Sequence, residues 1–540
     1  MTNKQNFIKG TMILMCANAI SKILGAVFKI PLTYLLKEEG MAIYNTAFNV
    51  YVMVLSFIIS GVPLAISKMV AEENALSNQS NVRKIITVSS LVFGGLGLLG
   101  SAVLWFGADF FSFAMKEPKG VFCLKIIAPA IFFVVLGAIY KSFYQGISNM
   151  IPTAISQVIE AVIRLVAGYG LAVYYSSLTT EYTAAAAIMG VTVGEIIATF
   201  ILFVLYLPKR FSLPSKGADK TTKSILLSIS QIALPTIAAS AILNAMDLVD
   251  ITVIRRSLEN ILFTPETARA FLLKYSSYTS LFDNLTETLK ISPDGSRWLY
   301  GAYSGYALTV FHLPIGILGT LGVSILPVIA SSLALNNRGR ANSCILLAIK
   351  FTLLIALPAA FLITFFSEPI LEILFHNTAS ACMLTLLSPC LVFISLIQIL
   401  NTVSNAGGQI ITPFIFAFFG IIVKLISSYV LIRNPYFNVN GIVISANVSY
   451  FIVMVMSYIS VKRRFSLSSR ITKTLIKPLI SSILMITVMR TVYLPFTIIF
   501  PNTLISFFMS LFIGIIVYIL MLIFTKCISE KDFALLKERN

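Results

Sequence analysis

Long apolar runs separated by short polar breaks dominate the chain, and they recur about fourteen times. They fall at 10–35, 43–70, 85–107, 121–145, 152–176, 184–207, 224–254, 299–333, 343–366, 380–404, 410–432, 440–461, 473–492 and 502–525. Crossing a hydrocarbon core of about 30 Å takes roughly 20 helical residues. A barrel strand would be about ten residues long and alternating, so the pattern predicts an all-α polytopic membrane protein. The first run is longer than a signal-peptide core and has no convincing cleavage site after it, so it reads as retained.

Composition agrees: 57% of the 540 residues are hydrophobic and 11% are charged, a balance that excludes a soluble globular domain. A formal net charge of +18 taken alone would suggest nucleic acid, but its placement argues against that partner. Of the 40 Lys and Arg residues, 22 lie on the side that holds both termini. Eleven lie on the other side, six of them in the long 255–298 loop, and seven lie within the runs. Short basic loops stay inside, so both termini are expected in the cytoplasm, with Trp105 and Trp298 at outer helix ends as belt anchors. The six cysteines show no ligand spacing and read as small packing residues. Two histidines, His312 and His376, are too few for an ordinary metal site, and no cofactor is expected.

Two landmarks repeat at one spacing. "GVPLAISK" from Gly61 returns as "GVSILPVI" from Gly322, and "GISNMIP" from Gly146 returns as "GGQIITP" from Gly407, both 261 residues on. Arg164 and Lys424 recur one slip away, at 260. The predicted organisation is therefore two six-helix bundles of the same orientation, 1–207 and 224–461. A basic linker, 208–223, joins them, and the last two runs with the tail form an appendage, 462–540. The outer loop 255–298 has no counterpart in the first half, and "PETARAFLLKYSSYTSLF" within it reads as a short interfacial helix.

Catalytic signatures are missing: there is no GxxxxGK[ST] loop, no HExxH and no paired outer carboxylates. Charges inside the runs are the better guide, because a Lys, Arg or Asp at a helix centre costs roughly 2.5 to 3.5 kcal/mol to insert. Lys22 and Lys29, seven apart, share one helix face with Gly25 between them and Asn18 one turn below Lys22. Glu160 and Arg164, at i and i+4, suit either an internal ion pair or an anion site with a carboxylate for proton exchange. Lys424 has no carboxylate one turn away, and Lys68 reads as a site residue or a cytoplasmic anchor. Asp247 and Asp250 either pair with Arg255 and Arg256 or serve a coupling ion, Na+ or H+. Tyr303 and Tyr306 are candidate cavity walls, and His312 a packed residue or proton relay. Pro63, Pro314, Pro327 and Pro413 are candidate hinges. The surplus of interior cation suits an anionic head group better than a cationic drug.

"FIKGTMILMCANAISKILGAVFKIPL", "GVPLAISKMVAEENA" and "YKSFYQGISNMIPTAISQVIEAVIRLV" resemble the stage V sporulation protein B family of Gram-positive bacteria and its sister lipid II flippases. Both belong to the multidrug/oligosaccharidyl-lipid/polysaccharide exporter superfamily. The resemblance implies two lobes in a V around a cavity, a tail groove from the last two helices, and a monomer in the bacterial cell membrane. It also implies outward flipping of an undecaprenyl-diphosphate-linked precursor. "SKILG" matches the family's basic motif in the first helix and carries that role to Lys22, with lysine in place of the more usual arginine. An arginine found on the eighth helix of some relatives has no match before "HLPIG", where His312 is the charged candidate. The expected function is a lipid-linked oligosaccharide flippase working by alternating access. The alternatives are a multidrug or cation-coupled exporter and a polytopic glycosyltransferase or ligase.

Overall fold

A computed structural model describes residues 2–214, 219–261, 263, 266–267, 271, 291–316, 318, 329, 332, 337–409, 411–466, 471–500, 502–525 and 527. Among them eleven helical stretches are long and apolar enough to cross a membrane. The first of these, Cys16–Asn74, is broken twice. Helix α1 (Thr2–Ile59) leaves helical geometry at Lys37, with φ 53° and ψ −164°, and α2 (Val62–Ala75) begins after Gly61, with φ 79°. Left-handed backbone costs little for Gly61 and more for Lys37, which has a Cβ. The runs expected at 10–35 and 43–70 are thus separate helical segments. The run at 224–254 is helical throughout as part of Thr222–Glu259, whereas much of 317–336 and of the 255–298 loop lies outside the described residues.

Helices α3 (Gln79–Phe106), α4 (Ala108–Ala114), α5 (Val121–Gly146) and α6 (Ile151–Ile163) follow. A π-helical turn (Arg164–Gly168) then leads into α7 (Tyr169–Tyr174), α8 (Thr180–Ser212) and α9 (Thr222–Glu259). After α10 (Pro293–Gly301) and a second π turn (Ala302–Ala307) come α11 (Arg338–Phe375), α12 (Ala381–Ala406), α13 (Thr412–Ile432) and α14 (Asn440–Phe465). Helices α15 (Ile471–Ile499) and α16 (Thr503–Phe524) complete the set. The repeat is visible in the helix starts: 79, 121, 151 and 180 return at 338, 381, 412 and 440, offsets of 259, 260, 261 and 260. Proline follows it too, with Pro129 inside α5 and Pro389 inside α12. A proline inside a helix frees carbonyls behind it, and in each repeat a side chain of the last helix collects one. Thr192 donates to the Ile126 carbonyl at 2.9 Å, and Asn447 donates to the Leu386 carbonyl at 2.7 Å. Hydrocarbon offers no water for this task, so the freed carbonyls need such partners.

By contact the chain divides into two compact units, 1–255 with 297–305, and 256–296 with 306–540. This division and the sequence division at 208–223 differ by most of α9. In the first unit α5 is central, packed on α3 and α8, and α1 lies on α6, α5 and α8. Glycines set the closest approaches: a Cβ on Gly97 would meet Val135 and Phe132, and one on Gly190 would fall on the backbone of Gly168. Gly190 and Gly194 form a small-xxx-small face, which lets helix backbones touch without a hydrophobic driving force. In the second unit α11, α12 and α14 share a core that includes Ile345, Leu353, Ile399, Leu400 and Val461. Helices α15 and α16 pack on α11 through Phe366, Ile486, Met489 and Phe507, and Tyr518 donates to the Leu354 carbonyl at 2.7 Å.

Two placements differ from the sequence reading. Trp298 is buried, with 4% of its surface exposed, so it is a packing residue of α10 rather than a belt anchor. Pro63 and Pro413 stand in the first turn of α2 and α13. There the missing N–H has no intrahelical partner to lose, so they start helices instead of bending them. Pro314 is half-buried in a helical stretch, and Pro327 lies outside the described residues.

Alanine normally stabilises a helix relative to glycine by about 1 kcal/mol. Gly95→Ala, where an added Cβ meets nothing within 4 Å, should therefore raise or preserve the thermal midpoint in detergent. Gly190→Ala should lower it, because overpacking costs about 1–3 kcal/mol; equal behaviour of the two variants would contradict the backbone contact between α8 and the π turn.

Candidate functional site

The middle of α1 presents three faces. Ala17 and Phe28 are buried, and Ser21 between them donates to the Gln157 carbonyl of α6 at 3.2 Å. Ile20, Ile23 and Val27 form an exposed apolar face, at 45%, 60% and 46%. The remaining face carries Asn18, Lys22, Gly25 and Lys29. Lys22 is exposed, the other three are half-buried, and a Cβ on Gly25 would meet nothing within 4 Å. Among the described residues neither lysine has a carboxylate partner. Lys22 lies fifteen residues before the Lys37 break, about 22 Å along the axis at 1.5 Å per residue. A helix with one apolar and one cationic exposed face is suited to hydrocarbon on the first and water or an anion on the second.

Arg164 has the opposite environment. It opens the π turn, where the local widening of the helix shifts its register. Its Nη2 lies 2.5 Å from Glu160 Oε1 and 4.0 Å from Glu195 Oε1 of α8. Lys141, at the end of α5, reaches the other Glu160 oxygen at 3.7 Å. Two basic and two acidic side chains thus meet in one cluster held by three helices. Glycine at 194 makes the closeness possible, since a Cβ there would stand 3.0 Å from the Glu160 carbonyl. Sequence separation hid the parts contributed by Lys141 and Glu195; the i, i+4 pair was legible. Arg164 Nε is buried and without a hydrogen-bond partner, so one donor of the guanidinium remains to be used.

Lys424, the counterpart of Arg164 in the repeat, is 7% exposed on α13, with its Nζ 6.0 Å from the Tyr450 ring of α14. Lys68 is exposed and 3.9 Å from Glu72, a surface pair of small energetic weight. Asp247 and Asp250 fall on α9, but their side chains lie outside the described residues. His312 is exposed and adjoins Phe311. Tyr303 and Tyr306 lie in the second π turn and are buried, at 7% and 4%; the Tyr306 ring packs on Phe375 at 5.0 Å. The candidates therefore stand in separate places within each unit: Lys22, Lys29 and Asn18 on one helix face, Arg164 and Glu160 in the ion cluster, and Lys424 on α13. Among the described residues no three His, Cys, Asp or Glu side chains come together to hold a metal ion.

A second ion cluster in the first unit was not anticipated from sequence. Glu117, fully buried before α5, accepts two bonds from Arg297 Nε at 2.9 and 3.1 Å. Arg297 Nη1 also lies 3.6 Å from Glu39 Oε1, which Lys119 holds at 2.7 Å. Beside it Asn45 donates to Ser304 Oγ at 3.1 Å, and Gly301 admits the Glu38 carbonyl where a Cβ would collide. These contacts fasten 297–305 to the Lys37 bend. By sequence Arg297 is one charge of the long loop, and nothing in its local sequence marks a partner 180 residues away.

A family model described as "Polysaccharide biosynthesis protein" matches residues 7–333, and one described as "Lipid II flippase MurJ" matches residues 300–517. Stage V sporulation protein B of Bacillus subtilis (strain 168) is 22% identical over 476 residues, covering 87% of this chain and 86% of that protein. Lipid II flippase MurJ of the same organism is 21% identical over 510 residues, 89% of this chain and 87% of its own. Among solved structures, Lipid II flippase MurJ in an inward closed conformation superposes with a TM-score of 0.67 at 18% identity, over 95% of this chain and 99% of that one. An inward-facing multidrug resistance MATE family transporter of the MOP superfamily superposes at 0.63 and 12% identity, over 87% and 99%. The fold is that of these transporters, and the matches are to flippases and transporters rather than enzymes.

Removing one partner of a buried ion pair costs about 3–5 kcal/mol, whereas replacing both with apolar groups is often neutral. Arg297→Ala should therefore lower the thermal midpoint in detergent sharply, and Arg297→Met with Glu117→Leu should recover most of the loss. If the double variant falls as far as the single one, the pairing is not what holds 297–305.

Proposed function

This chain belongs to the polysaccharide biosynthesis protein family, and on that premise we propose that it is a flippase for an undecaprenyl-diphosphate-linked cell-wall precursor, of the lipid II type, in the bacterial cell membrane. The observation that carries this reading is the cationic face of α1, with Lys22 exposed and free of any carboxylate partner among the described residues, opposite an apolar face. A diphosphate offers the charge that such a face lacks, and Gly25 leaves room for it to approach the backbone. The whole-length similarity to Stage V sporulation protein B and Lipid II flippase MurJ supports the lipid-linked substrate.

In this reading both termini are cytoplasmic, as the loop charges suggest, so Lys22 meets the head group first and Lys29, nearer the Lys37 bend, meets it next. Arg164 is held in reserve by Glu160 and Glu195, and an arriving diphosphate competes with Glu160 for it. Lys424 offers the corresponding cation on α13. Alternating access then carries the head group outward while the lipid chain stays in hydrocarbon. The unpartnered lysines on α1 disfavour a cationic drug as cargo.

A charge-assisted hydrogen bond contributes about 1.5–3 kcal/mol, so losing it should slow transport roughly tenfold to a hundredfold. Lys22→Ala should show that loss in proteoliposomes reporting movement of labelled lipid II, and should fail to complement a flippase-depleted strain at equal membrane expression. Lys22→Arg should keep both activities. Full transport by the alanine variant would remove Lys22 from the site, and no lipid II movement by the unaltered protein would remove the substrate.

A further inference from the structure

The second unit holds a cavity of about 560 Å³ where α12 gives way to α13 and α14 ends. Its lining is Gln409, Phe416, Met456, Ile459, Ser460, Arg463 and Arg464. The five residues from α14 stand at i, i+3, i+4, i+7 and i+8, a single stripe on one face. The stripe is graded: Met456 and Ile459 are apolar, Ser460 is neutral and polar, and Arg463 and Arg464 are cationic. Across from it Phe416 continues the apolar end. Gln409 lies three residues before Thr412, where α13 begins and its dipole adds partial positive charge.

Among the described residues no carboxylate lines the cavity, and both arginines are exposed. Arg464 spends one N–H on the Gly407 carbonyl at 3.4 Å, which leaves most of its fork to spare. Among the described residues Arg463 has no ion-pair partner. Lys462, between Tyr458 and the helix end, lies 6.0 Å over the Tyr458 ring and is not part of the lining. The apolar run of α14 ends here, at Phe465, and Ser466 closes the helix in left-handed geometry with φ 48°. An amphiphile with an anionic head matches this gradient end to end.

We propose that this cavity seats the phosphate head group of an anionic glycerophospholipid of the cytoplasmic leaflet, with Arg463 and Arg464 on the phosphate and an acyl chain along Phe416, Met456 and Ile459. Basic pockets between helix ends on that side of a membrane are suited to acidic lipids, and paired guanidinium forks suit phosphate oxygens. The assignment takes from the proposed function only the orientation of the chain. It places a lipid contact at the joint of α12 and α13, beside the end of α14, with Phe416 on the helix that carries Lys424, so the lipid composition of the inner leaflet would bias that joint.

The test uses the full chain purified into phosphatidylcholine nanodiscs with and without phosphatidylglycerol, reading bound lipid by native mass spectrometry and the thermal midpoint in parallel. Phosphatidylglycerol should be retained and should raise the midpoint, and Arg463→Gln with Arg464→Gln should weaken its apparent affinity about tenfold or more. Lys209→Gln with Arg210→Gln, at the basic end of α8, should leave retention unchanged. Should the double variant misfold by size exclusion, Arg463→Gln alone serves, with a smaller loss expected. Unchanged retention in the Arg463 and Arg464 variants, or equal loss in the α8 control, would overturn the site. Inorganic phosphate raising the midpoint as well as the phospholipid would make it a free-anion site, and preferential retention of undecaprenyl phosphate would make it a substrate site; either overturns the phospholipid assignment. Failure of lipid II transport leaves this readout untouched.

Discussion

A helix crossing hydrocarbon has no water to satisfy its polar groups, and most of this structure follows from that constraint. Each proline inside the repeated helices α5 and α12 has a neighbour that collects a freed carbonyl. Several close helix crossings rely on glycine, because dispersion contacts and hydrogen bonds must replace the hydrophobic effect as the force between helices. Interior charge obeys the same demand: Arg164 meets Glu160 and Glu195, Lys125 meets Asp109 at 3.6 Å, and buried Glu117 is enclosed by Arg297.

Against that background the face of α1 stands apart. Lys22 and Lys29 are the interior cations for which the first unit supplies no counter-charge among its described residues, although carboxylates are spent nearby on Arg164 and Lys141. Functional sites are where local rules are broken without internal compensation, and a surplus of cation asks for an anion from outside. Arg164 and Lys424 are the milder version of the same arrangement. One is paired with carboxylates yet keeps its Nε without a hydrogen-bond partner, and the other lies 6.0 Å from an aromatic ring.

The clusters differ in how far sequence could foresee them. Glu160 with Arg164 was visible as an i, i+4 pair, because helical spacing is a local rule. Lys141 and Glu195 join the same cluster from other helices, and Arg297 finds Glu117 across 180 residues; no periodicity encodes either meeting. Trp298 shows the reverse case, since an aromatic at a helix end has the pattern of an interfacial anchor but is buried by packing. The prolines divide in the same way: their identity announces a break, but only the register of the neighbouring helix decides whether Pro63 bends one helix or begins another.

Sequence by itself determined the all-α membrane fold class, most of the apolar helices among the described residues, the internal repeat near 260 residues and the cationic face of α1. Each of these is written in hydropathy, helical period or self-similarity, which act over tens of residues. Tertiary structure alone decided which charges are neutralised, where the chain breaks at Lys37, how 297–305 is fastened to that bend and which arginines border a cavity. Those outcomes depend on the approach of helices far apart in the chain. Coulomb attraction and desolvation fall steeply with distance, so a charge's role is set by its spatial neighbours rather than by its neighbours in sequence.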